Sequence, residues 1–172
     1  MNQAHPASWS EEELLAHCKL TFSRASGPGG QNRNKVETSV QVEFLPAGIV
    51  AHASERRSQN ENRIVALQRL RCKLAVEFRH SQSDPSHSTT LSELWTRYCR
   101  NGRINIADTN SDWPTILAEL IATLEKCDWN VTTAAASLTT SSSQLVKLLK
   151  KHPPAFARIN VERKVRNQRP LS

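Results

Sequence analysis

The chain has no apolar run approaching the roughly 20 residues that a membrane-spanning helix needs. Its first residues, Met1 to Glu13, carry no apolar stretch and end acidic, so no signal peptide is read there, nor an Arg-rich transit peptide. The expected compartment is cytoplasmic. Aromatic residues make up only 5%, with one tyrosine and one methionine among 172 residues, so any core must be modest. Cysteine is sparse: Cys18, Cys72, Cys99 and Cys127 are scattered with no Cys-x-x-Cys pair. That excludes a disulfide framework and a zinc ribbon. The six histidines show no ligand spacing either, and neither a metal nor a cofactor is expected. Acidic charge is in deficit: 23 Lys and Arg oppose 16 Asp and Glu, for a net charge of +7 and a pI of about 9.6. Such a balance suits a polyanionic partner, nucleic acid before membrane.

Glycine is scarce as well, and its placement is informative. Three of the five glycines fall at Gly27, Gly29 and Gly30, around Pro28. Before them, Ser10 and Glu13 form a capping-box pattern opening a short helix over 11–17, and Lys19 to Ser23 reads as a strand. After them, Asn34 to Thr38 reads as a helical turn. Val40, Val42 and Phe44 then alternate with Gln41 and Glu43, the period of a half-buried strand. Pro46-Ala47-Gly48 supplies a turn, and Ile49 to Ala53 the returning strand of a hairpin. Ser58 caps a long helix to about Phe78, with Ile64, Leu67, Leu70, Leu74 and Phe78 as its apolar stripe. Arg56, Arg57, Arg63, Arg69, Arg71, Lys73 and Arg79 leave this region with a net charge of +5 against Glu61 and Glu77. They form either a solvated face or a phosphate-binding surface, the latter favoured by the neighbouring loop.

His80 to Thr90, rich in Ser, Thr, Asp and Pro, reads as a linker. Thr90 and Glu93 pattern as a capping box for a helix to about Arg100, stopped by Asn101-Gly102. Pro114 sits in the first turn of a helix whose stripe is Ile116, Leu117, Leu120, Ile121 and Leu124. Pro153-Pro154 ends the last helix of this part, and the remainder, to Ser172, is basic with little apolar surface. The expected organisation is residues 1–80, a linker at 81–90, a helical module at 91–152 and a flexible basic tail at 153–172. The fold class is α+β: a small antiparallel sheet with a long packed helix, followed by a small all-α module.

The run Ser26-Gly27-Pro28-Gly29-Gly30-Gln31-Asn32-Arg33-Asn34-Lys35-Val36-Glu37-Thr38-Ser39-Val40 resembles the catalytic loop of class I peptide-chain release factors and their ribosome-rescue relatives. The likeness continues through Val40 to Val50 and into Glu55-Arg56-Arg57-Ser58-Gln59-Asn60-Glu61-Asn62-Arg63. Three motifs in order over the first half of the chain are far more specific than a lone Gly-Gly-Gln. The bland alternative is a flexible surface loop or an anion-binding nest, which leaves the two downstream motifs unexplained. Asn130 to Lys151 resembles the helix-turn-helix of Fis-type DNA-binding domains. It departs from that pattern at Thr139, where a glycine is usual, and its second helix is poor in Arg. A small helical bundle is the competing reading of the same residues.

The first resemblance implies hydrolysis of the ester joining a nascent peptide to tRNA in the ribosomal peptidyl transferase centre. Gly29, Gly30 and Gln31 would be catalytic, the Gln31 backbone N–H stabilising the developing charge and its side chain limiting which nucleophile fits. Ser26, Gly27, Pro28, Asn32, Arg33, Asn34 and Lys35 would support the loop and contact RNA, although Arg33 stands where the family usually has a small apolar residue. Arg56, Arg57 and Arg63 are further RNA-contact candidates. So are Lys147, Lys150 and Lys151 in the helical module, and Arg163, Lys164, Arg166 and Arg169 in the tail. The implied partners are the ribosome with its P-site peptidyl-tRNA, and a methyltransferase acting on the Gln31 amide. The chain is expected to be a monomer. No stop-codon-reading loop is present, so a codon-independent rescue factor is the leading expectation. A non-catalytic RNA- or DNA-binding protein using the helix-turn-helix is the second, and hydrolysis of free peptidyl-tRNA off the ribosome the third.

Overall fold

The computed structural model describes residues 4–24, 36–78 and 91–172. The chain forms two compact units, Met1–Phe78 and Arg79–Ser172.

In the first unit a 3-10 turn (Pro6–Ser8) leads into α1 (Glu11–Ala16). Ser10 caps α1 through a complete capping box: Ser10 Oγ accepts from Glu13 N, and Ser10 N donates to Glu13 Oε2 at 3.0 Å. Strands β1 (Cys18–Ser23), β2 (Ser39–Phe44) and β3 (Ile49–Ala53) form an antiparallel sheet in that order. The β2–β3 turn contains Gly48 at φ +64°, a left-handed conformation that glycine adopts without strain. Alternation along β2 places Val40, Val42 and Phe44 in the interior. Helix α2 (Gln59–Glu77), capped by Ser58, lays Ala66, Leu67, Leu70 and Leu74 over β2 and β3, where Ala51 and Ala53 leave room for it. Phe44 meets Phe78 edge to face with ring centroids 5.7 Å apart.

Two expectations fail in this unit. Ile64 is not part of the core stripe; it is 57% exposed. The buried arc of α2 runs through Asn62 and Ala66 to Leu70 and Leu74, which turns Ile64 onto the flank. No helical turn forms over Val36–Thr38, while Asn34 and Lys35 lie outside the described residues. The four cysteines carry no disulfide and are all half-buried rather than fully buried. Burial pushes the Cys18 thiol up to about 11, which keeps it protonated and unreactive at neutral pH.

Among its described residues, the second unit is helical apart from one hairpin. It comprises α3 (Glu93–Tyr98), β4 (Cys99–Arg100), β5 (Arg103–Ile104), α4 (Trp113–Lys126), α5 (Val131–Ser137), α6 (Ser142–Lys150) and α7 (Pro153–Val165). Ser92, not Thr90, caps α3, its hydroxyl accepting from Trp95 N at 2.9 Å. The helix expected to reach Arg100 stops at Tyr98, and Asn101-Gly102 is a turn rather than a helix stop. Both residues have positive φ (50° and 72°), the type I′ geometry that suits a two-residue hairpin. Expecting an all-α module therefore missed β4 and β5. Pro114 lies in the first turn of α4, and Ile116, Leu117, Leu120, Ile121 and Leu124 are all buried with Trp95, Trp113 and Trp129. Trp95 Nε1 donates to Leu138 O at 3.1 Å, tying α3 to the turn between α5 and α6.

The tail departs most from expectation. Pro153-Pro154 does not end a helix; it begins α7. His152 is the cap, its Nδ1 accepting from Ala155 N, and the prolines occupy first-turn positions whose N–H groups would lack helical partners anyway. Burial holds the His152 imidazole below its ordinary range, which favours the neutral form this cap requires. Ala155 and Ile159 are buried, and α7 packs on α6. Beyond it, Asn160 binds both backbone polar groups of Leu171, and Gln168 Nε2 donates to Asp128 O. Residues 153–172 are thus fixed by side-chain-to-backbone bonds that composition does not reveal.

Thr139, in the turn between α5 and α6, has φ +50°. A β-branched residue in this region is strained by about 1–2 kcal/mol. Glycine removes that strain but loses more entropy on folding, by about 0.4–1 kcal/mol. Thr139→Gly should therefore stabilise the second unit by about 0.5–1 kcal/mol, read as a rise in the urea midpoint. An unchanged or lower midpoint would show that the threonine is not strained there.

Candidate functional site

The β1–β2 register places Ser23 opposite Ser39, so the intervening segment leaves and re-enters the sheet at neighbouring positions. Ser26, Gly27, Pro28, Gly29, Gly30, Gln31, Asn32, Arg33, Asn34 and Lys35 all belong to this segment and lie outside the described residues. The returning root is described, and three consecutive residues of it are held. Gln59 Nε2 donates to Glu37 O at 2.6 Å. Asn62 Nδ2 donates to Thr38 O at 2.6 Å. Ser39, 2% exposed, hydrogen-bonds through Oγ to His52 Nε2 at 2.7 Å.

Asn62 does more than hold Thr38. It is fully buried; its Oδ1 accepts from Arg56 N at 2.9 Å, and its Nδ2 also donates to Arg56 O at 2.9 Å. One amide thus ties together the root of the glycine-bearing segment, the Arg56-Arg57 turn and the first turn of α2. An amide suits this place because it offers a donor group and an acceptor without charge. Asn62, Gln59 and His52 were not singled out from sequence. A signal for Asn62 existed: it falls in phase with Ala66, Leu70 and Leu74 on the buried side of α2, where a polar residue needs partners.

The cations near this root divide into two groups. Arg56 and Arg57 are exposed on the turn that Asn62 holds. Arg24, on the departing side of the segment, is exposed as well, and Arg79 lies outside the described residues; the four cations along α2 turn inward to the fold. Arg63 pairs with Glu11 at 2.7 Å, Arg69 with Glu55 at 2.5 Å and with His52 O, Arg71 donates to Ala7 O, and Lys73 donates to Val50 O. The phosphate-binding face expected along α2 therefore shrinks to its amino-terminal end. The exposed pairs add little stability, under about 1 kcal/mol each.

The remaining candidates lie in the second unit. Lys147 and Lys150 are exposed on α6, while Lys151 Nζ donates to Ile106 O. Arg163 donates to Trp129 O and Arg169 O, and Arg166 pairs with Asp128 and Glu162 at 2.8 Å each. Lys164 and Arg169 are exposed. Arg158 pairs with Glu125, so three of the five cations of the basic tail are engaged within the fold. Among the described residues, no three His, Cys, Asp or Glu side chains gather as a metal site, and no helix is long and apolar enough to cross a membrane.

The motifs of the first unit recur in known proteins. The chain is 39% identical over 94 residues to peptide chain release factor PrfB1, chloroplastic, of Arabidopsis thaliana, covering 53% of this chain and 20% of that protein. It is 44% identical over 81 residues to peptide chain release factor 1 of Acidiphilium cryptum, covering 47% and 23%. With peptide chain release factor 1 of Chlorobaculum tepidum the identity is 53% over 64 residues, covering 37% and 17%. The chain spans about a fifth of the length of the curated relatives it matches. The RF-1 domain family matches residues 13–107, from α1 past the β4–β5 hairpin, which is more than half of the 172 residues, and to that family the chain belongs.

Proposed function

We propose that this chain hydrolyses the ester of ribosome-bound peptidyl-tRNA without reading a stop codon. The observation that carries this reading is Gly29-Gly30-Gln31 in its full motif context, inside the RF-1 domain match. A water oxygen attacks the ester carbonyl carbon, the bond to the tRNA 3′ oxygen breaks, and the peptide leaves as a carboxylic acid. The Gln31 backbone N–H stabilises charge developing on oxygen, and the Gln31 side chain excludes larger nucleophiles. The segment offers no His, Asp or Cys as a general base, consistent with chemistry done by positioning water. The partners are rRNA and P-site peptidyl-tRNA, the site of action is cytoplasmic, the chain acts as a monomer, and Gln31 is a methyltransferase substrate.

Codon independence is supported by what stands in the second unit. Among the described residues 91–172, the helices, the hairpin and the α5–α6 helix-turn-helix, a Fis-like module in this reading, include no loop of the sort that reads a codon. The test is release of labelled peptide from purified ribosomes holding peptidyl-tRNA. Release should be as fast on a message ending at the P site as on one with a stop codon in the A site, or faster. Release confined to the stop-codon message would establish a codon-reading factor instead. Tight ribosome binding with no release on either message would favour the non-catalytic binding reading.

A further inference from the structure

We infer that the β4–β5 hairpin of the second unit is an RNA-backbone-binding element, with Arg100 and Arg103 as its phosphate contacts. The two residues are direct cross-strand partners flanking the Asn101-Gly102 turn. Partners directly opposite in an antiparallel pair project from the same face, so two guanidinium groups stand side by side. Like charges in this relation destabilise a hairpin. Both are exposed, and neither guanidinium makes a hydrogen bond or ion pair among the described residues.

Most of the acidic charge in this unit is committed elsewhere, and no carboxylate pairs with either arginine among the described residues. Residues 91–172 hold twelve Lys and Arg against seven Asp and Glu. Five of those acids are engaged elsewhere: Asp112 with Tyr98 and Arg97, Glu119 with Ser92, Glu125 with Arg158, and Asp128 and Glu162 with Arg166. The arginine pair thus has no internal role that would offset its repulsion, and a polyanion bound outside the fold would offset it.

The hairpin is also held rigidly. Thr140 Oγ1 donates to Gly102 O at 2.7 Å, Ile104 N donates to Gln144 Oε1 at 3.4 Å, and Asn105 N donates to Tyr98 O at 2.9 Å. The first two bonds seat it on the α5–α6 turn and the start of α6, and the third ties its base to the end of α3. Lys147, one turn along α6 from Gln144, is a further exposed cation of this unit. Two guanidinium forks on a fixed hairpin suit phosphate oxygens, which the planar fork can bind bidentately. The chain belongs to a domain family found in peptide chain release factors, so RNA is the polyanion chosen; the hydrolase reading is not needed for this inference.

The test measures binding of the full chain to a labelled 20-nucleotide RNA hairpin by fluorescence anisotropy, between 50 and 200 mM KCl. Each phosphate contact contributes about 0.7–0.9 to the slope of log affinity against log salt. Arg100→Ala/Arg103→Ala should lower that slope by about 1.4–1.8 and weaken binding at least about fivefold at 100 mM KCl. Its melting temperature should not fall, because a repulsion has been removed. Arg100→Lys/Arg103→Lys should keep most of the slope. Lys19→Ala/Lys126→Ala, which removes the same net charge from exposed positions elsewhere, should keep all of it. The inference is overturned if the arginine double variant matches that control, or if the wild-type chain shows no salt-dependent RNA binding. Peptide release on ribosomes is scored separately, so failure here and failure of the hydrolase reading are distinguishable.

Discussion

Gly30→Ala should slow peptide release from ribosome-held peptidyl-tRNA by at least about 10²-fold, the scale set by removing one preorganised donor from an acyl-transfer site. Two physical effects act together. Glycine alone allows the backbone both unusual φ values and unobstructed approach to another molecule. On the proposed mechanism, a methyl group at position 30 would set the Gln31 N–H back from the oxygen it is to meet, and an N–H that misses by an ångström loses most of its value. The cost corresponds to about 2.7–4 kcal/mol of transition-state stabilisation. Ribosome binding should not change, because the cations that would make that contact are untouched. The measurement is single-turnover release at saturating factor, beside an equilibrium ribosome-binding assay. Release at the wild-type rate would remove Gly30 from the chemistry and with it the catalytic reading. Loss of binding in step with release would show instead that the segment serves attachment.

Asn62→Ala should destabilise the first unit by about 3 kcal/mol, near the upper end of single substitutions. The side chain is fully buried and satisfies three backbone groups: Arg56 N, Arg56 O and Thr38 O. Removing it leaves those groups without their partner, at about 1–3 kcal/mol for each that water does not reach. Asn62→Asp tests the geometry without a cavity. It keeps an acceptor for Arg56 N but turns a carboxylate oxygen toward two carbonyls, and should be no more stable than the alanine variant. Gln59→Ala is the surface control; it loses one exposed hydrogen bond to Glu37 O and should cost less than about 1.5 kcal/mol. Urea unfolding of the full chain reads all three. An Asn62→Ala value within 1 kcal/mol of wild type, on the scale of one ordinary hydrogen bond, would show that the root is held by the sheet register alone.

Local signals in this chain were legible wherever one residue type does one job. Ser58 as the cap of α2, the alternation of Val40, Val42 and Phe44, and Pro114 in the first turn of α4 all have causes within a few residues of sequence. The same marks misled where one signal serves two structures. Asn101-Gly102 fits a helix stop and a type I′ turn equally, and only the pairing of Cys99 with Ile104 decides between them. Pro153-Pro154 fits the end of one helix and the start of another, and the buried Ala155 and Ile159 show that it is a start. Ile64 fits an apolar spacing, yet the true buried arc is set by Asn62, a residue that hydropathy places outside.

The sequence by itself determined the family, through three ordered motifs, and the basic character of the chain, through simple counting. It also determined where the long helix begins and which strands alternate, because these depend on caps and on period. Only the tertiary structure decided which cations remain for a partner. Arg63, Arg69, Arg71, Lys73, Arg163 and Arg166 are engaged within their units, whereas Arg56, Arg57, Arg100 and Arg103 stay exposed. The reason is geometric: an arginine's reach of several ångströms finds acceptors far along the chain, and composition cannot say which carbonyl or carboxylate lies within it.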